Sequence, residues 1–315
     1  MTDCTGPTER RSGAFDFDAL EQRLKKEKID TCLIARGQTP VFQYYKNKKM
    51  IEKQHKINSV SKSVLSMLVS IAIGRGELAG IDVPISVYFP KWGERLQGIT
   101  LEHLLTMTPG FDWPEFGAWG GRPFPMINSK DWVRFVLERE RVEPPGTQMY
   151  YSSGCSHLLS AIMQNATGKN LASYAAQHLF CPLGIEEFTW HADAKGIVIG
   201  GFGLSLKAQD MLKLGLLMKQ NGVWKERQIL PAGWVSASTA PRYLTYKQIG
   251  AYGYHWWMLT DENKTLQHPF TYFALGYGGQ FIIVVPEEGW VATFTSQLYD
   301  QPLRPLQLFR QFLHS

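Results

Sequence analysis

Apolar residues along the chain recur at two spacings, and the spacing predicts the element. The longest helical segment, residues 59–72, is apolar nearly all round and is followed by Gly74 and Gly76, so we expect a buried helix that ends there. Apolar intervals of three and four predict further helices at residues 15–26, 101–105, 132–139, 156–166, 171–178, 208–220 and 303–313. Asn128 or Ser129 is expected to cap the helix at 132–139.

Short runs of β-branched and aromatic residues predict strands near both ends of the chain. Residues 31–35 and 41–45 flank an Arg-Gly-Gln turn and should form a hairpin. Later strands are predicted at residues 252–259, 272–275, 281–285 and 291–295. Because strands begin and end the chain, the pattern predicts an α/β fold of the α+β type: an antiparallel sheet built from both chain ends and flanked by helices, with an inserted, mostly helical lobe.

The order of these elements favours one unit with two lobes over two independent domains. The chain has no internal repeat and no linker rich in Pro, Gly or Ser. We expect a flexible leader at residues 1–14 and a single unit at 15–315. Its sheet lobe should comprise about 15–75 and 205–315, and its helical lobe about 76–204.

Composition excludes several classes of protein. With 315 residues, 44% hydrophobic and 19% charged, the chain is too apolar to be disordered, and four cysteines are too few for a disulfide scaffold. The net charge is only +5, and the longest basic run, residues 46–49, lacks interleaved aromatic residues, so we expect no nucleic-acid partner. Ten Trp, thirteen Tyr and seventeen Phe indicate either an aromatic pocket or a large core.

The chain shows no targeting or metal-binding pattern. The polar N-terminal residues lack the apolar stretch of a secretory signal, and the most apolar run, residues 64–73, is too short to span a bilayer. We therefore expect a cytoplasmic protein without a membrane partner, its cysteines free thiols, with one disulfide as the alternative. The eight histidines form no H-x-x-x-H or H-x-H pair, so neither a metal nor another cofactor is expected.

Residues 59–62 (SVSK) place Ser59 and Lys62 on one face at the start of the buried helix. A serine hydroxyl is a weak nucleophile until a base removes its proton, and burial lowers the pKa of a lysine, so Lys62 is a candidate activating group. The backbone N–H of Ser59 would be free at the helix N-terminus and could hold a developing oxyanion. Helix capping explains Ser59 equally well.

Two further segments carry candidate chemistry. In residues 150–154 (YYSSG), Tyr151 precedes a predicted helix, where it is either a base in a cleft or a core tyrosine. In residues 275–281 (LGYGGQF), glycines interrupt a strand pattern, which indicates close approach of a ligand or backbone, or else a tight hairpin turn. The glycine-rich, aromatic segment at 112–121 is either a pocket wall or ordinary surface packing.

Taken together and in this order, the three segments resemble the penicillin-recognising serine hydrolases: class C β-lactamases, related esterases and low-molecular-mass D,D-peptidases. The likeness covers roughly residues 30–300 through 57–63 (INSVSKS), 81–90 (IDVPISVYFP), 99–110 (ITLEHLLTMTPG), 145–147, 151–153, 166–168 and 182–184. It implies a β-lactamase-like fold and acyl transfer in two steps.

The resemblance implies roles for particular residues. Ser59 is the acylated nucleophile, Lys62 its activating partner and Tyr151 the general base. The strand after the third motif shapes the oxyanion hole and includes Gly278, Gly279 and Gln280. The second oxyanion N–H, beside that of Ser59, is expected from Gln280 or from a residue a few positions away.

Two departures from the family pattern narrow the expected substrate. Ser153 stands where β-lactam-binding members usually have Asn, and Tyr277 stands where they usually have Lys or His. Both are expected substrate-binding positions, and both changes argue against an efficient β-lactamase. The pattern is closer to the family VIII esterase and 6-aminohexanoate-dimer hydrolase branch.

The sequence therefore predicts a serine hydrolase that cleaves a small ester or amide through a Ser59 acyl-enzyme. Its partner would be a small molecule, and the aromatic residues near the motifs predict an apolar acyl or alcohol group. Alternatives are a β-lactamase or D,D-peptidase, and a catalytically idle binding or sensor protein of the same fold. The sequence leaves the oligomeric state undetermined.

Overall fold

The computed structural model describes residues 15–246, 249–261, 263 and 265–313. The predicted leader at 1–14 lies outside them. The helices are α1 (Phe17–Lys25), α2 (Lys49–Glu52), α3 (Val60–Gly74), α4 (Leu101–Leu105), α5 (Phe124–Ile127), α6 (Trp132–Leu137), α7 (Ser153–Thr167), α8 (Leu171–Ala175), α9 (Cys181–Leu183), α10 (Ala208–Lys219), α11 (Trp234–Ser238) and α12 (Arg304–Leu313). The strands are β1 (Ile29–Arg36), β2 (Thr39–Tyr45), β3 (His55–Lys56), β4 (Thr189–Trp190), β5 (Leu204–Leu206), β6 (Val223–Trp224), β7 (Arg227–Gln228), β8 (Tyr243–Leu244), β9 (Ala251–Tyr252), β10 (Trp257–Met258), β11 (Tyr272–Gly276), β12 (Gln280–Val285) and β13 (Trp290–Ser296).

The largest sheet joins the two ends of the chain. Within the described ranges it has eight strands, in the order β2-β1-β13-β12-β11-β10-β9-β8. All neighbours are antiparallel, and β1 lies beside β13, with Cys32 opposite Phe294 and Ile34 opposite Ala292. This arrangement confirms the predicted fold class: a mixed α/β fold with a large antiparallel sheet flanked by helices. The boundaries of the two lobes remain a prediction.

Two long helices hold the sheet and the site together. Helix α10 packs closely on the central strands. Gly215 permits this close contact because it has no side chain, and a Cβ at this position would lie 2.5 Å from Val291. Helix α3 is buried from Val60 to Ala72 and packs against α7 and β11. Because α3 is enclosed on all sides, its first turn is held firmly in place relative to the sheet.

The predicted strand at residues 252–259 is wrong. The structure has two short strands there, β9 and β10, joined by a turn in which His255 adopts a positive φ of 59°. Gly253 lies against the backbone of the preceding helix, and a Cβ at this position would be 2.2 Å from the carbonyl oxygen of Ser238. Alternating aromatic residues alone did not indicate this turn, because tertiary packing determines it.

Two predicted helix starts also differ from the structure. Asp131, rather than Asn128 or Ser129, caps α6 by accepting a hydrogen bond from the N–H of Arg134 at 2.9 Å. Helix α7 begins at Ser153 instead of residue 156. The earlier start of α7 places the 150–154 motif directly at a helix N-terminus.

Among the described residues, a small three-stranded sheet contains β3, the strand that precedes α3. Strand β5 lies between β3 and β4, and the N–H of Ile57 donates to the carbonyl oxygen of Leu204 at 3.0 Å. This pairing fixes the chain immediately before α3 begins. In the described part of the chain, no helix combines the length and the apolar character needed to cross a bilayer.

Candidate active site

Ser59 lies at the junction between β3 and α3. It is the N-cap residue of α3, yet its side chain makes no capping hydrogen bond. Asn58 before it has a positive φ of 48°, which turns the chain sharply into the helix. The structure thus does not support capping as the role of the hydroxyl, and Ser59 instead lines the cleft.

Lys62 lies one turn along α3, and its side chain is only 1% exposed. Its Nζ donates to Ser59 Oγ at 3.1 Å, to Ser153 Oγ at 3.2 Å and to the carbonyl oxygen of Gly201 at 2.7 Å. Burial lowers the pKa of Lys62 to about 8, because a poorly solvated surrounding disfavours the charged ammonium. Near that pH the amine and ammonium forms coexist, so Lys62 can accept a proton and return it.

The ring of Tyr151 lies between two other aromatic rings just before α7. Its centroid is 4.8 Å from that of Phe116 and 5.8 Å from that of Trp257. The Tyr151 hydroxyl is hydrogen-bonded with the Ser59 side chain, and Lys62 Nζ lies 4.8 Å from the ring centroid. Burial raises the pKa of Tyr151 well above its usual range, so the phenol is protonated at rest.

Ser153 connects Lys62 to a carboxylate that the sequence did not single out. Glu115 is 3% exposed and accepts hydrogen bonds from the N–H and the hydroxyl of Ser153, both at 2.7 Å, and from the indole N–H of Trp113 at 2.8 Å. Since the Ser153 hydroxyl donates to Glu115, its oxygen can accept from Lys62. A series of hydrogen bonds therefore runs from Glu115 through Ser153 and Lys62 to Ser59.

The sequence contained only a weak signal for Glu115. It lies in the segment 112–121, where two acidic residues, Asp112 and Glu115, among aromatic and glycine residues fit surface packing as well as a pocket wall. The carbonyl of Gly201, which accepts from Lys62, carried no signal, because any residue type supplies a carbonyl. Phe116, Gly120 and Gly121 do line the cleft, which agrees with the pocket-wall alternative for part of this segment.

The third motif forms the turn between β11 and β12. Gly278 and Gly279 both have positive φ, of 82° and 83°, as a tight turn requires. Asn58 Nδ2 donates to the carbonyl oxygen of Tyr277 at 2.6 Å, which ties this turn to the residue before Ser59. The side-chain amide of Gln280 donates to the carbonyl oxygen of Ser296 at 2.7 Å and, more weakly, to the same Tyr277 carbonyl oxygen at 3.4 Å.

Four residues that border both cavities have a backbone N–H without a hydrogen-bond partner among the described residues: Ser59, Glu115, Arg122 and Tyr277. Of these, the N–H of Ser59 lies at the start of α3, and that of Tyr277 lies in the turn that Asn58 binds. Gln280 instead stands opposite Gly276 in the β11–β12 ladder. Ser59 is partly exposed and Tyr277 is 43% exposed, so both N–H groups can bind water or a ligand.

Two cavities of similar size meet at Ser59. One, of about 590 Å³, has a polar wall whose residues include Asp30, Lys53, His55, Lys56, Arg122, Ser153 and Gln280. The other, of about 580 Å³, has a largely apolar wall whose residues include Phe116, Tyr151, Tyr246, Ile249, Trp257, Leu275 and Leu303. A carbonyl group held at Ser59 would have space on both sides.

Comparisons with known proteins agree with this geometry. The chain is 24% identical over 310 residues to the 6-aminohexanoate-dimer hydrolase of Paenarthrobacter ureafaciens, covering 90% of this chain and 76% of that protein. Among solved structures, EstCE1, a hydrolase with promiscuous acyltransferase activity, superposes with a TM-score of 0.77 at 19% identity over 95% of this chain and 97% of its own. A class C beta-lactamase from Rhodobacter sphaeroides gives 0.68 at 16% identity, over 94% and 98%.

These likenesses agree with the resemblance seen in the sequence motifs. At such low identity the structural matches show the fold alone. The family assignment rests on the match of residues 18–312 to the Beta-lactamase family model, which spans nearly all of the described chain. The chain belongs to the beta-lactamase family of serine hydrolases.

Proposed function

We propose that this protein is a serine hydrolase that cleaves a small ester or amide through an acyl-enzyme on Ser59. The observation that carries the proposal is the 3.1 Å contact between Ser59 Oγ and a buried Lys62 whose pKa is lowered to about 8. This pair provides a hydroxyl nucleophile and a base poised near the working pH.

Acylation follows from the protonation states of the three side chains. Neutral Lys62 accepts the proton of Ser59 as Oγ attacks the substrate carbonyl carbon and forms the new C–O bond. Tyr151, protonated at rest, donates its proton to the leaving oxygen or nitrogen as the scissile bond breaks. The Lys62 ammonium then lies near the Tyr151 ring, where its positive charge stabilises the phenolate.

Deacylation uses the same groups in the opposite sense. The Tyr151 phenolate takes a proton from water, whose oxygen attacks the acyl carbon, and the Lys62 ammonium returns its proton to Ser59 as the ester bond breaks. The cycle releases the acid and restores all three side chains. In this scheme Tyr151 is the general base of the second step, which refines the role that the resemblance implies.

The oxyanion of each tetrahedral intermediate would be held by the N–H groups of Ser59 and Tyr277. Both lack partners in the described part of the chain, whereas Gln280 takes part in the β11–β12 ladder. Donors already fixed by the surrounding backbone stabilise the developing charge without reorganising, which makes such groups effective. We therefore favour Tyr277 over Gln280 as the second donor.

The aromatic cavity supports a substrate with an apolar acyl or alcohol group. Rings from three separate segments form its wall, including those of Phe116, Tyr246 and Trp257. Burying each methylene there would contribute about 0.8 kcal/mol. We propose a small-molecule substrate and, as the sequence suggested, a cytoplasmic location without nucleic-acid or membrane partners.

Replacement of the nucleophile tests the proposed function. The wild type should hydrolyse p-nitrophenyl butyrate and gain the mass of one acyl or phosphonyl group on Ser59 with a fluorophosphonate, measured by mass spectrometry. Ser59→Ala should lose both properties, with at least a 10³-fold fall in kcat/KM, as is usual for a nucleophile (about 10³ or more). Ser173→Ala, an identical change on the exposed face of α8, should retain both.

Three outcomes would contradict the proposal. Ester hydrolysis by Ser59→Ala at the wild-type rate would exclude Ser59 as the nucleophile. Labelling of Ser59 without turnover would indicate a binding or sensor protein instead. Turnover of nitrocefin as fast as of the ester would favour the β-lactamase alternative.

A further inference from the structure

Arg122 lies between the two cavities and borders both. Its guanidinium carbon is 5.0 Å from the ring centroid of Tyr277 and 5.6 Å from that of Phe124. Stacking on aromatic faces fixes the position of a guanidinium while leaving its N–H groups at the edge free to donate. The positive charge is thus held beside the turn that carries Tyr277.

Arg122 has no carboxylate partner among the described residues. No ion pair or side-chain hydrogen bond joins it to any of them, and Lys56 on β3, which borders the polar cavity, is unpaired in the same way. The protein's surface therefore presents two uncompensated cations toward this space.

The carboxylates bordering the polar cavity do not compensate these cations. Glu115 accepts three hydrogen bonds from Ser153 and Trp113. Asp30 accepts from the side-chain amide of Gln297 at 3.2 Å and lies 3.9 Å from the ammonium of Lys53. Both carboxylates already have hydrogen-bond or ion-pair partners, so they do not neutralise Arg122 and Lys56. The uncompensated positive charge beside the cavity therefore favours binding of an anion.

We propose that Arg122 binds a carboxylate of the substrate, so that the preferred ester or amide carries an anionic group on one side of the scissile bond and an apolar group on the other. A guanidinium edge donates two parallel N–H bonds to a carboxylate, and this geometry selects for carboxylates over neutral groups. The inference rests on the proposed function, because it concerns the substrate of the same Ser59 site.

Matched ester pairs test the role of Arg122. One pair is mono-p-nitrophenyl glutarate and its methyl ester, and the other is 3-carboxyphenyl butyrate and its methyl ester, so that the carboxylate is on the acyl side or on the alcohol side. The wild type should prefer the carboxylate in at least one pair by about tenfold in kcat/KM. Arg122→Gln should abolish that preference, so that the ratio of kcat/KM for the carboxylate to that for its methyl ester falls to about one in each pair.

Control variants separate this proposal from the proposed function. Lys130→Gln, an equal change of charge at an exposed position outside both cavities, should keep the preference, and Arg122→Lys should keep part of it. Equal rates for both members of both pairs, or a preference that survives Arg122→Gln, would overturn the role of Arg122 while Ser59-dependent hydrolysis still stands. Loss of Ser59 dependence would instead overturn the proposed function.

Discussion

The two cavities beside Ser59 have nearly equal volumes, about 590 and 580 Å³, but different chemical character. Aromatic and aliphatic side chains dominate the wall of the second, whereas charged and amide side chains share the wall of the first with apolar ones. Transfer of an apolar group into the apolar cavity removes hydrocarbon surface from water. The polar cavity can instead bind a polar group through directed hydrogen bonds and ion pairs. Under the proposed function, this contrast predicts that the two halves of the substrate are distinguished by their chemistry rather than by their size.

Lys62, which is hydrogen-bonded to the serine where the two cavities meet, should show the largest effect. Lys62→Met should lower kcat/KM by about 10³-fold for every ester, apolar or anionic, because the base serves both equally. In the wild type, kcat/KM should rise with pH, reach half of its maximum near pH 8 and level off about one unit above that, since the neutral amine accepts the proton and is half populated at the pKa of Lys62.

The readout for Lys62 is kcat/KM for p-nitrophenyl acetate between pH 5.5 and 9.5. A variant that loses activity on one class of ester alone would place Lys62 in substrate binding instead of proton transfer. A profile that falls as pH rises from 6 to 8 would also contradict the assignment, because it would require the ammonium form.

Phe116 tests the aromatic side of the comparison. Phe116→Ala removes one wall of the apolar cavity and should lower the ratio of kcat/KM for p-nitrophenyl hexanoate to that for the acetate by about tenfold. Phe124→Ala, the same change at the end of the loop, where α5 begins beside the polar cavity, should leave this ratio unchanged. Equal loss in both variants would mean that the loop as a whole, and not the aromatic wall, determines chain-length preference.

Glu115 should give the smallest effect, seen in the pH profile. Its negative charge raises the pKa of Lys62 against the effect of burial. Glu115→Gln should therefore move the rise in kcat/KM to lower pH and increase the activity at pH 7, relative to that at pH 9, by about threefold. The other groups facing Lys62 are neutral near pH 7, because burial raises the pKa of Cys155 to about 12 and lowers that of His255 to about 3.

A matched control for Glu115 is available on the same loop. Asp112→Asn removes an equal charge, but this carboxylate is half exposed and pairs with Arg139 at the surface. Its pH profile should match that of the wild type. If Glu115→Gln reduces activity equally at every pH, its role is structural. Ser153→Ala removes the hydroxyl that joins Glu115 to Lys62. Its pH profile then shows whether this hydrogen bond affects the activity of Lys62.

The sequence predicted the scaffold better than it predicted the site. The hairpin of β1 and β2 and the enclosure of α3 follow from local composition, since β-formers flank a turn and an apolar segment must be buried. The burial of Lys62 was predictable in the same way. The turn at His255 was not, because contact between Gly253 and Ser238 determines it and these residues are far apart in the sequence pattern.

The contacts that tune the site depend on separate parts of the chain. Glu115 reaches Ser153 across 38 positions, and the carbonyl of Gly201 reaches Lys62 across 139. Neither contact has a local pattern that could reveal it. Ser153 illustrates the limit best: the family motif identified the position as substrate-binding, whereas the structure gives both of its hydrogen-bonding directions to protein groups.

The pairing of β1 with β13 has a consequence for how the chain acquires its structure. Strand β1 has the edge strand β2 on one side and needs β13, more than 250 residues later, on the other. During synthesis, one edge of β1 stays unpaired until β13 has left the ribosome. The large sheet should therefore close only after β13 has been synthesised, and the free edge of β1 can pair wrongly until then.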